Sequence, residues 1–560
     1  MRLIQIPKAY RQLRRFQQIV QVLTRHGFWD VLNRLGLASR YARVWQHLRQ
    51  GRLSPELVQA TPPQRFRIVL QELGPTFIKV GQFLSVRSDL LPVEWVHELE
   101  KLQDQIPPQP LEQLLPALDA THPRWFEWLV EIEPQPIGSA SIAQVHAART
   151  ADGRRVAVKI RRPGIVAQIR TDLDILAFLA DLADQYIEEV RPFRLPLLVE
   201  QARRILLREI DLRMEAQHME RFRMNMATVP EVVVPEINWR VFGAAVLVTE
   251  RMDGIRVDDL DALRRRSIDP RQITELLVRA YMKQIFLDGF FHADPHPGNL
   301  WVIGPDRIAI LDYGMVGTLD ESIRETLADA LVGVVRRDAR MIVRSLIRLG
   351  VLQDVPSSAL LQEVGNFVAR YADLPVGRVD LRMILDEVFA TLRRFRLVLP
   401  TELALMMKTT STLDGLARRL APDIETIAIA RPFVRHLIRQ RYHPLRYGRR
   451  LAVQVEQLVS LATSTPLEFE WFWQQFSRGQ WPLPMELRNL PQLQDGVQRG
   501  LHRIAGALMV AGLMLGASLL MMKPVEPTWR GISIPGVIGW MLAIGWMLVI
   551  GWQILRSGKW

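Results

Sequence analysis

The chain of 560 residues contains no cysteine. Disulfides and thiolate metal sites are therefore excluded. Its eleven histidines show no paired metal-ligand spacing on a helix, so a zinc site of that type is not expected. The N-terminus lacks the apolar core of a secretory signal. No nucleic-acid motif and no regular aromatic interleaving accompany the basic residues, so nucleic acid is not an expected partner. Internal repeats and long disordered linkers are also missing. Acidic residues are nearly absent from the first 52 positions, where Asp30 stands against eleven Lys or Arg. This basic helical region, residues 1–60, is expected to lie on anionic lipid, with Phe16, Val20, Val22 and Leu23 as apolar contacts. A solvated helix face is the competing reading.

What is present points first to phosphoryl transfer. His292-Ala293-Asp294-Pro295-His296-Pro297-Gly298-Asn299 is followed by Asp312-Tyr313-Gly314. Asp294 and Asn299 have the Asp-to-Asn spacing of a kinase catalytic loop, and Asp312 heads a triplet of the Asp-Phe-Gly type. In kinases the first Asp takes the hydroxyl proton, while the Asn and the later Asp hold Mg²⁺ against the ATP phosphates. Trp301–Ile303 and Ile308–Leu311 read as strands around the turn Gly304-Pro305-Asp306, a hairpin that returns Asp312 beside Asn299. Upstream, Val156-Ala157-Val158-Lys159-Ile160 is a β-branched run with a lysine inside it. A buried lysine needs a carboxylate partner. The candidates are Glu209, Asp211 and Glu215, in a helical stretch starting near Leu197; Asp211 and Glu215 would share one face and Glu209 point elsewhere.

The segment before that strand, Ile137-Gly138-Ser139-Ala140-Ser141-Ile142-Ala143-Gln144-Val145, sits where a kinase places its phosphate loop. Ser139 and Ser141 can donate to phosphate, and alanine makes the loop stiffer than a polyglycine one. Ala245–Thr249 reads as a strand, with Glu250 and Met252 at the position of an adenine-binding hinge.

Lys79-Val80-Gly81-Gln82 continues into Ser85, Arg87 and Asp89-Leu90-Leu91-Pro92. Taken with the alanine-containing loop, Glu209-Ile210-Asp211 and the catalytic loop, the chain resembles the UbiB/AarF family of atypical kinase-like proteins from about residue 60 onward. The resemblance implies that Lys159 pairs with Glu215, that Asn299 and Asp312 ligate Mg²⁺, and that Asp294 occupies the catalytic-base position. It implies that Lys79 and Gln82 cover the site and meet Glu209 and Asp211. It also implies an ATPase-like activity supporting ubiquinone or related isoprenoid quinone biosynthesis, with ATP and Mg²⁺ as cofactors and quinone precursors or their enzymes as partners. A protein or small-lipid kinase, and an ATP-binding scaffold, are the alternatives.

Two uncharged apolar runs close the chain, Ile504–Met522 and Ile532–Leu555. Each is long enough for a hydrocarbon core of ~30 Å at ~1.5 Å per residue. They read as a transmembrane helical hairpin in which Gly506, Ala507, Gly512, Gly516 and Ala517 permit close packing. Arg499, Arg503, Arg556 and Lys559 on the outer flanks place both ends in the cytoplasm. Pro466–Pro491, rich in Trp and Phe, reads as an interfacial anchor or as packing on the kinase-like domain. Ile273–Phe290 reads as the helix that delivers the catalytic loop, and Glu321 to Leu420 as helical, punctuated by Pro400 and Gly415.

The expected architecture is an α+β, bilobal protein-kinase-like fold with a helical N-terminal extension. The extension with the Lys-x-Gly-Gln motif spans 61–130, the N-lobe 131–252, the mostly helical C-lobe 253–500 and the membrane hairpin 501–556. The expected location is a bacterial-type inner membrane, multi-pass, with the kinase-like domain in the cytoplasm.

Overall fold

The computed structural model describes residues 6–35, 60–102, 106–351, 358–372, 381–442, 509–521, 527–529 and 532–556. It forms two compact units, Met1–Arg450 and Leu451–Trp560.

The first unit begins with helices α1 (Ile6–Arg25), α2 (Trp29–Arg34), α3 (Pro62–Leu73), α4 (Pro75–Val86) and α5 (Val93–Glu100). A capping box between Thr61 and Gln64 starts α3, with proline in its first turn. Gly74, at φ +94°, ends it and starts α4. Gly81 of the Lys-x-Gly-Gln motif is a packing residue. A Cβ there would lie 2.3 Å from Leu102 Cδ1 and 2.8 Å from Leu70 Cδ1.

The apolar face of α1 meets protein, which corrects the expectation of a lipid contact. Val20 and Val22 are buried with Ile19, and Phe16 and Leu23 flank the same clusters, which include Phe77, Ile175 and Ala183. Cations of this basic region are paired as well, Arg15 and Arg25 of α1 with Asp172 and Glu72, and Arg34 of α2 with Glu189. An amphipathic stripe looks the same in sequence whether lipid or a neighbouring helix covers it.

After α6 (Leu115–Thr121) come β1 (Leu129–Ser139), β2 (Ala143–Thr150) and β3 (Arg155–Arg161). Helices α7 (Ile165–Tyr186), α8 (Leu195–Glu209) and α9 (Leu212–Met226) follow, then β4 (Val232–Val233) and β5 (Val246–Glu250). Strands β1, β2, β3 and β5 form one antiparallel sheet in that order. The period of two in β3 sends Val156, Val158 and Ile160 into the core beside Val246 and Val248, with Lys159 on the opposite face. The lysine is thus not surrounded by its apolar neighbours.

The lower lobe contains β6 (Ile255–Arg256), α10 (Leu260–Arg265) and α11 (Pro270–Met282). The helix expected to run to Phe290 ends earlier. A π-helical turn covers Lys283–Asp288, Gly289 takes φ +61°, and Phe290 opens strand β7 (Phe290–His292). Strands β8 (Leu300–Gly304) and β9 (Arg307–Ile310) form the expected hairpin, and β10 (Val316–Thr318) pairs with β7. Helices α12 (Glu321–Val335), α13 (Ala339–Arg348), α14 (Ser358–Ala372), α15 (Leu381–Arg394), α16 (Thr401–Leu420) and α17 (Thr426–Arg441) complete the unit. Gly415 does not interrupt α16, because its position faces open space and costs only helix propensity.

In the second unit, residues 509–521 are helical and β11 (Thr528–Trp529) pairs with β12 (Ile532–Ser533), which leads into α18 (Ile534–Arg556). The two helices touch through small residues, of which Ala517 is among those expected and Gly536 and Gly539 are not. A Cβ at Gly539 would lie 3.0 Å from Ala517 Cβ, and one at Gly536 3.0 Å from Met521 Cγ, whereas Gly512 and Gly516 face open space. Gly506 and Ala507 lie outside the described residues. Trp540 Nε1 donates to Ser518 Oγ at 3.3 Å. Among the described residues no helix is long and apolar enough to cross a membrane. The expected transmembrane hairpin is therefore not found there; residues 504–508 and 522 of its first run lie outside the described residues, and the part described, 509–521, is by itself shorter than the ~20 residues a span needs. Pro466–Pro491 lies outside the described residues.

Candidate active site

Lys159 projects from β3 into the cleft. Its Nζ lies 2.7 Å from Glu215 Oε1 and 3.4 Å from Asp312 Oδ1. Three separate parts of the chain thus meet at one ammonium. Burial opposes its charge, but Asp312 and Glu215 raise its pKa above the ordinary value.

The expected single helix carrying Glu209, Asp211 and Glu215 is two helices. The chain breaks at Ile210, between α8 and α9. Asp211 caps α9, accepting from the Arg213 backbone at 3.1 Å, and also binds the Arg213 guanidinium. Aspartate is a strong N-cap, so α9 starts directly after the C-cap residue Ile210 of α8. Glu209 turns instead to Lys79, whose Nζ lies 2.5 Å away. Lys79 therefore meets Glu209, and Asp211 is held by Arg213. The cluster still serves two lysines, Glu209 for Lys79 and Glu215 for Lys159. Gln82, partly buried on α4, accepts at its backbone carbonyl from Ser85 Oγ at 2.7 Å.

Glu215 is buried, and burial pushes its pKa up to about 7 against the pull of Lys159. The folded value lies above the ordinary carboxylate value, so Glu215 loses its charge as pH falls through about 7. The ion pair that orients Lys159 is lost with it. We expect nucleotide turnover to fall as pH drops through about 7, and Glu215→Gln to flatten that step at the low level. Turnover measured against pH for both proteins checks this; a step that survives in the variant belongs to another group.

The Asp312 carboxylate is also subject to burial, which raises its pKa. Lys159, the Gly314 amide and Lys79 outweigh that effect and hold it below the carboxylate range. Asp312 Oδ1 accepts from Gly314 N at 2.9 Å. Asn299 Nδ2 donates to Asp294 Oδ2 at 3.2 Å and to the Asp294 carbonyl at 3.3 Å. The catalytic loop therefore closes on itself.

The phosphate-loop segment is the tight connection between β1 and β2. Ile137, Gly138 and Ser139 end β1, with Gly138 opposite Val145, and Ala140 N donates to the Ala143 carbonyl at 2.9 Å. Ser141 and Ile142 are buried. Ser139 does not offer its hydroxyl to the cleft. It donates to the Ile106 carbonyl at 2.8 Å and accepts from Arg162 at 2.8 Å. Gln144 fastens the same strap through both Gln109 backbone groups, at 2.6 and 3.1 Å. Residues 106–109 thus lie against the phosphate loop. Nothing in the sequence marked Arg162 or Gln144 for this work. Glu250 ends β5 opposite Val156, and Met252 follows it at the hinge position.

His292 was missed as a site residue although it opens the loop. Its Nε2 meets the Asp312 carbonyl at 2.5 Å, and its Nδ1 the Tyr281 hydroxyl at 3.0 Å. A carbonyl can only accept, so Nε2 donates and Nδ1 accepts from tyrosine.

The chain matches the ABC1 atypical kinase-like domain over residues 101–346, the UbiB helical domain over 364–425 and the ABC1/UbiB kinase-like C-terminal domain over 488–556. It is 32% identical over 523 residues to a protein of Pseudomonas paraeruginosa named probable protein kinase UbiB, covering 90% of this chain and 94% of the relative. It belongs to the ABC1/UbiB family of atypical kinase-like proteins. A Clostridium pasteurianum relative, named for its place in a hydrogenase 1 5′ region, is 29% identical over 97% of this chain and 99% of its own length. A solved Mycobacterium tuberculosis structure, the complex of Rv3197 with erythromycin, is 24% identical with a TM-score of 0.44, covering 65% of this chain and 93% of that one. The ABC1/UbiB helical domain falls on α14, α15 and α16, which carry the lower lobe's second apolar cluster.

Proposed function

We propose that this ABC1/UbiB protein binds and hydrolyses ATP with Mg²⁺, at a membrane surface, in support of isoprenoid quinone biosynthesis. The observation that carries the nucleotide part is the Lys159–Glu215–Asp312 constellation. Two carboxylates converge on one strand lysine, beside a loop in which Asn299 reaches Asp294.

The donor set fits magnesium. Asn299 spends its amide nitrogen on Asp294, which leaves Oδ1 as a hard oxygen donor. Asp312 spends Oδ1 on Gly314, and its carboxylate is half-exposed and ionised. Asn299 and Asp312 would hold the ion, which supplies charge neutralisation at the phosphates. Lys159 binds phosphate oxygens and Asp294 positions the attacking oxygen. Lys79, tied to Glu209, adds positive charge that reaches Asp312.

Support for a membrane contact comes from the second unit. Leu515, Leu519, Met541, Leu542 and Leu548 are each more than half exposed on its two helices. Apolar side chains exposed at that density mark an interaction surface. The quinone role rests on the family resemblance.

The test is Mg²⁺-dependent ATP hydrolysis by the purified protein, with and without anionic liposomes, beside Asp312→Asn. We expect lipid-stimulated turnover that falls at least ~100-fold in the variant, the loss typical of one electrostatic group at a reacting centre. ATP binding without turnover in either condition would replace the ATPase reading with that of a scaffold.

A further inference from the structure

Helix α9 presents Glu215, His218 and Phe222 at intervals of three and four residues, hence on one face. All three act on a single residue, Tyr313. The Tyr313 backbone amide favours the charged form of the Glu215 carboxylate. His218 Nδ1 lies 3.0 Å from the Tyr313 carbonyl oxygen. The Phe222 ring packs on the buried Tyr313 ring at 5.1 Å.

The His218 contact acts further than its own atoms. A carbonyl only accepts, so Nδ1 carries the proton. Burial, and then Arg208 and Arg221, oppose a second proton on the ring. The Tyr313 carbonyl belongs to the same planar peptide as the Gly314 N–H. That N–H donates to Asp312 Oδ1 at 2.9 Å. Turning the peptide would take the donor away from the carboxylate. His292 holds the preceding peptide, at the Asp312 carbonyl, and has no grip on this one.

We propose that His218 is a positioning residue. By donating from Nδ1 to the Tyr313 carbonyl, it fixes the Tyr313–Gly314 peptide plane, whose N–H orients the Asp312 carboxylate. Helix α9 thereby sets both the strand lysine, through Glu215, and the metal-ligating aspartate, through His218. The proposal deepens the reading of Asp312 as a magnesium ligand and rests on it.

The test uses three variants of the full chain. Asparagine carries Nδ2 at the same place along the side chain as histidine Nδ1, whereas glutamine places its amide one carbon further out. His218→Asn therefore restores the donor, and His218→Ala and His218→Gln do not. Two quantities are measured. One is hydrogen–deuterium exchange of the 311–316 segment without nucleotide. The other is the Mg²⁺ concentration at half-saturation for binding a non-hydrolysable ATP analogue. We expect exchange in 311–316 to rise about tenfold in the alanine and glutamine variants, and the Mg²⁺ requirement to rise by a similar factor. That is the size of one net hydrogen bond plus a buried carbonyl left unmet. The asparagine variant stays within about twofold of wild type, since it keeps the donor. Wild-type exchange in the alanine and glutamine variants overturns the proposal. So does an asparagine variant as impaired as alanine, which would assign the effect to the His218 ring packing on Phe290, whose centroids lie 5.9 Å apart. If alanine does not fold, asparagine against glutamine decides. If the wild-type protein binds no Mg²⁺–nucleotide, the functional reading falls, while the exchange series still decides the role of His218.

Discussion

Arg87→Ala is expected to destabilise the first unit by about 3–5 kcal/mol, the cost of leaving a buried charge without its partner. Arg87 and Asp89 are both almost fully buried, with Nε to Oδ1 at 2.9 Å and Nη2 to Oδ2 at 2.7 Å. The pair also joins distant parts of the chain. Arg87 Nη2 donates to the Leu399 carbonyl at 3.2 Å, and Leu399 N donates to Asp89 Oδ2 at 3.0 Å. Arg393 adds a bond to the Ser88 carbonyl at 2.5 Å. The segment after the Lys-x-Gly-Gln motif is thus bolted to the lower lobe just before α16. At the other end of α4, Thr76 and Arg15 both reach the buried Asp172 of α7. Helix α4 is therefore anchored to α7 at one end and to the segment before α16 at the other, and Lys79 sits between the two anchors. Thermal melting with limited proteolysis checks the prediction. Arg87→Ala should lower the melting temperature and open sites in 62–102, and Arg87→Met/Asp89→Leu should recover much of the loss, since no charge is then stranded. A double variant as unstable as the single would assign the effect to lost shape complementarity instead.

The motifs that show in the sequence are those whose chemistry fixes residue type and spacing together. The hairpin after Asn299 needs a turn of set length, so β8 and β9 fall where Gly304-Pro305-Asp306 places them. Lys159 is visible because a lysine in a β-branched run has few other uses. What the sequence hides is where partners come from. Asp211 reads equally well as a mid-helix acid or an N-cap, and the break at Ile210 decides which carboxylate Lys79 meets. The Ser139 hydroxyl could face phosphate or protein, and Arg162, 23 residues away, takes it for the protein. The stripe on α1 is amphipathic either way. Its cover, the cluster with Phe77 and Ile175, lies too far along the chain for local pattern to reveal. His218 shows the intermediate case. Its spacing from Glu215 places it on the same helix face, but only the fold brings Tyr313 to that face.

Lys159→Met should reduce ATP turnover by at least ~100-fold, the loss seen when one preorganised charge is removed from a reacting centre. The argument extends beyond the missing cation. Lys159 is what opposes the burial effect on Glu215 and, with the Gly314 amide and Lys79, holds Asp312 ionised. Without it Glu215 takes up a proton at neutral pH, and the Asp312 pKa rises toward the ordinary range. The variant therefore loses a phosphate ligand and weakens a metal ligand in one step. Methionine keeps the length and apolar stem of the side chain, so the fold should survive with a modest loss of stability. Adding Glu215→Leu removes the stranded carboxylate and should regain that stability without regaining turnover. Melting temperature and ATP hydrolysis measured on the single and double variants separate the two effects. A Lys159→Met protein that still hydrolyses ATP near the wild-type rate would remove the strand lysine from the chemistry and, with it, the kinase-like reading of the cleft.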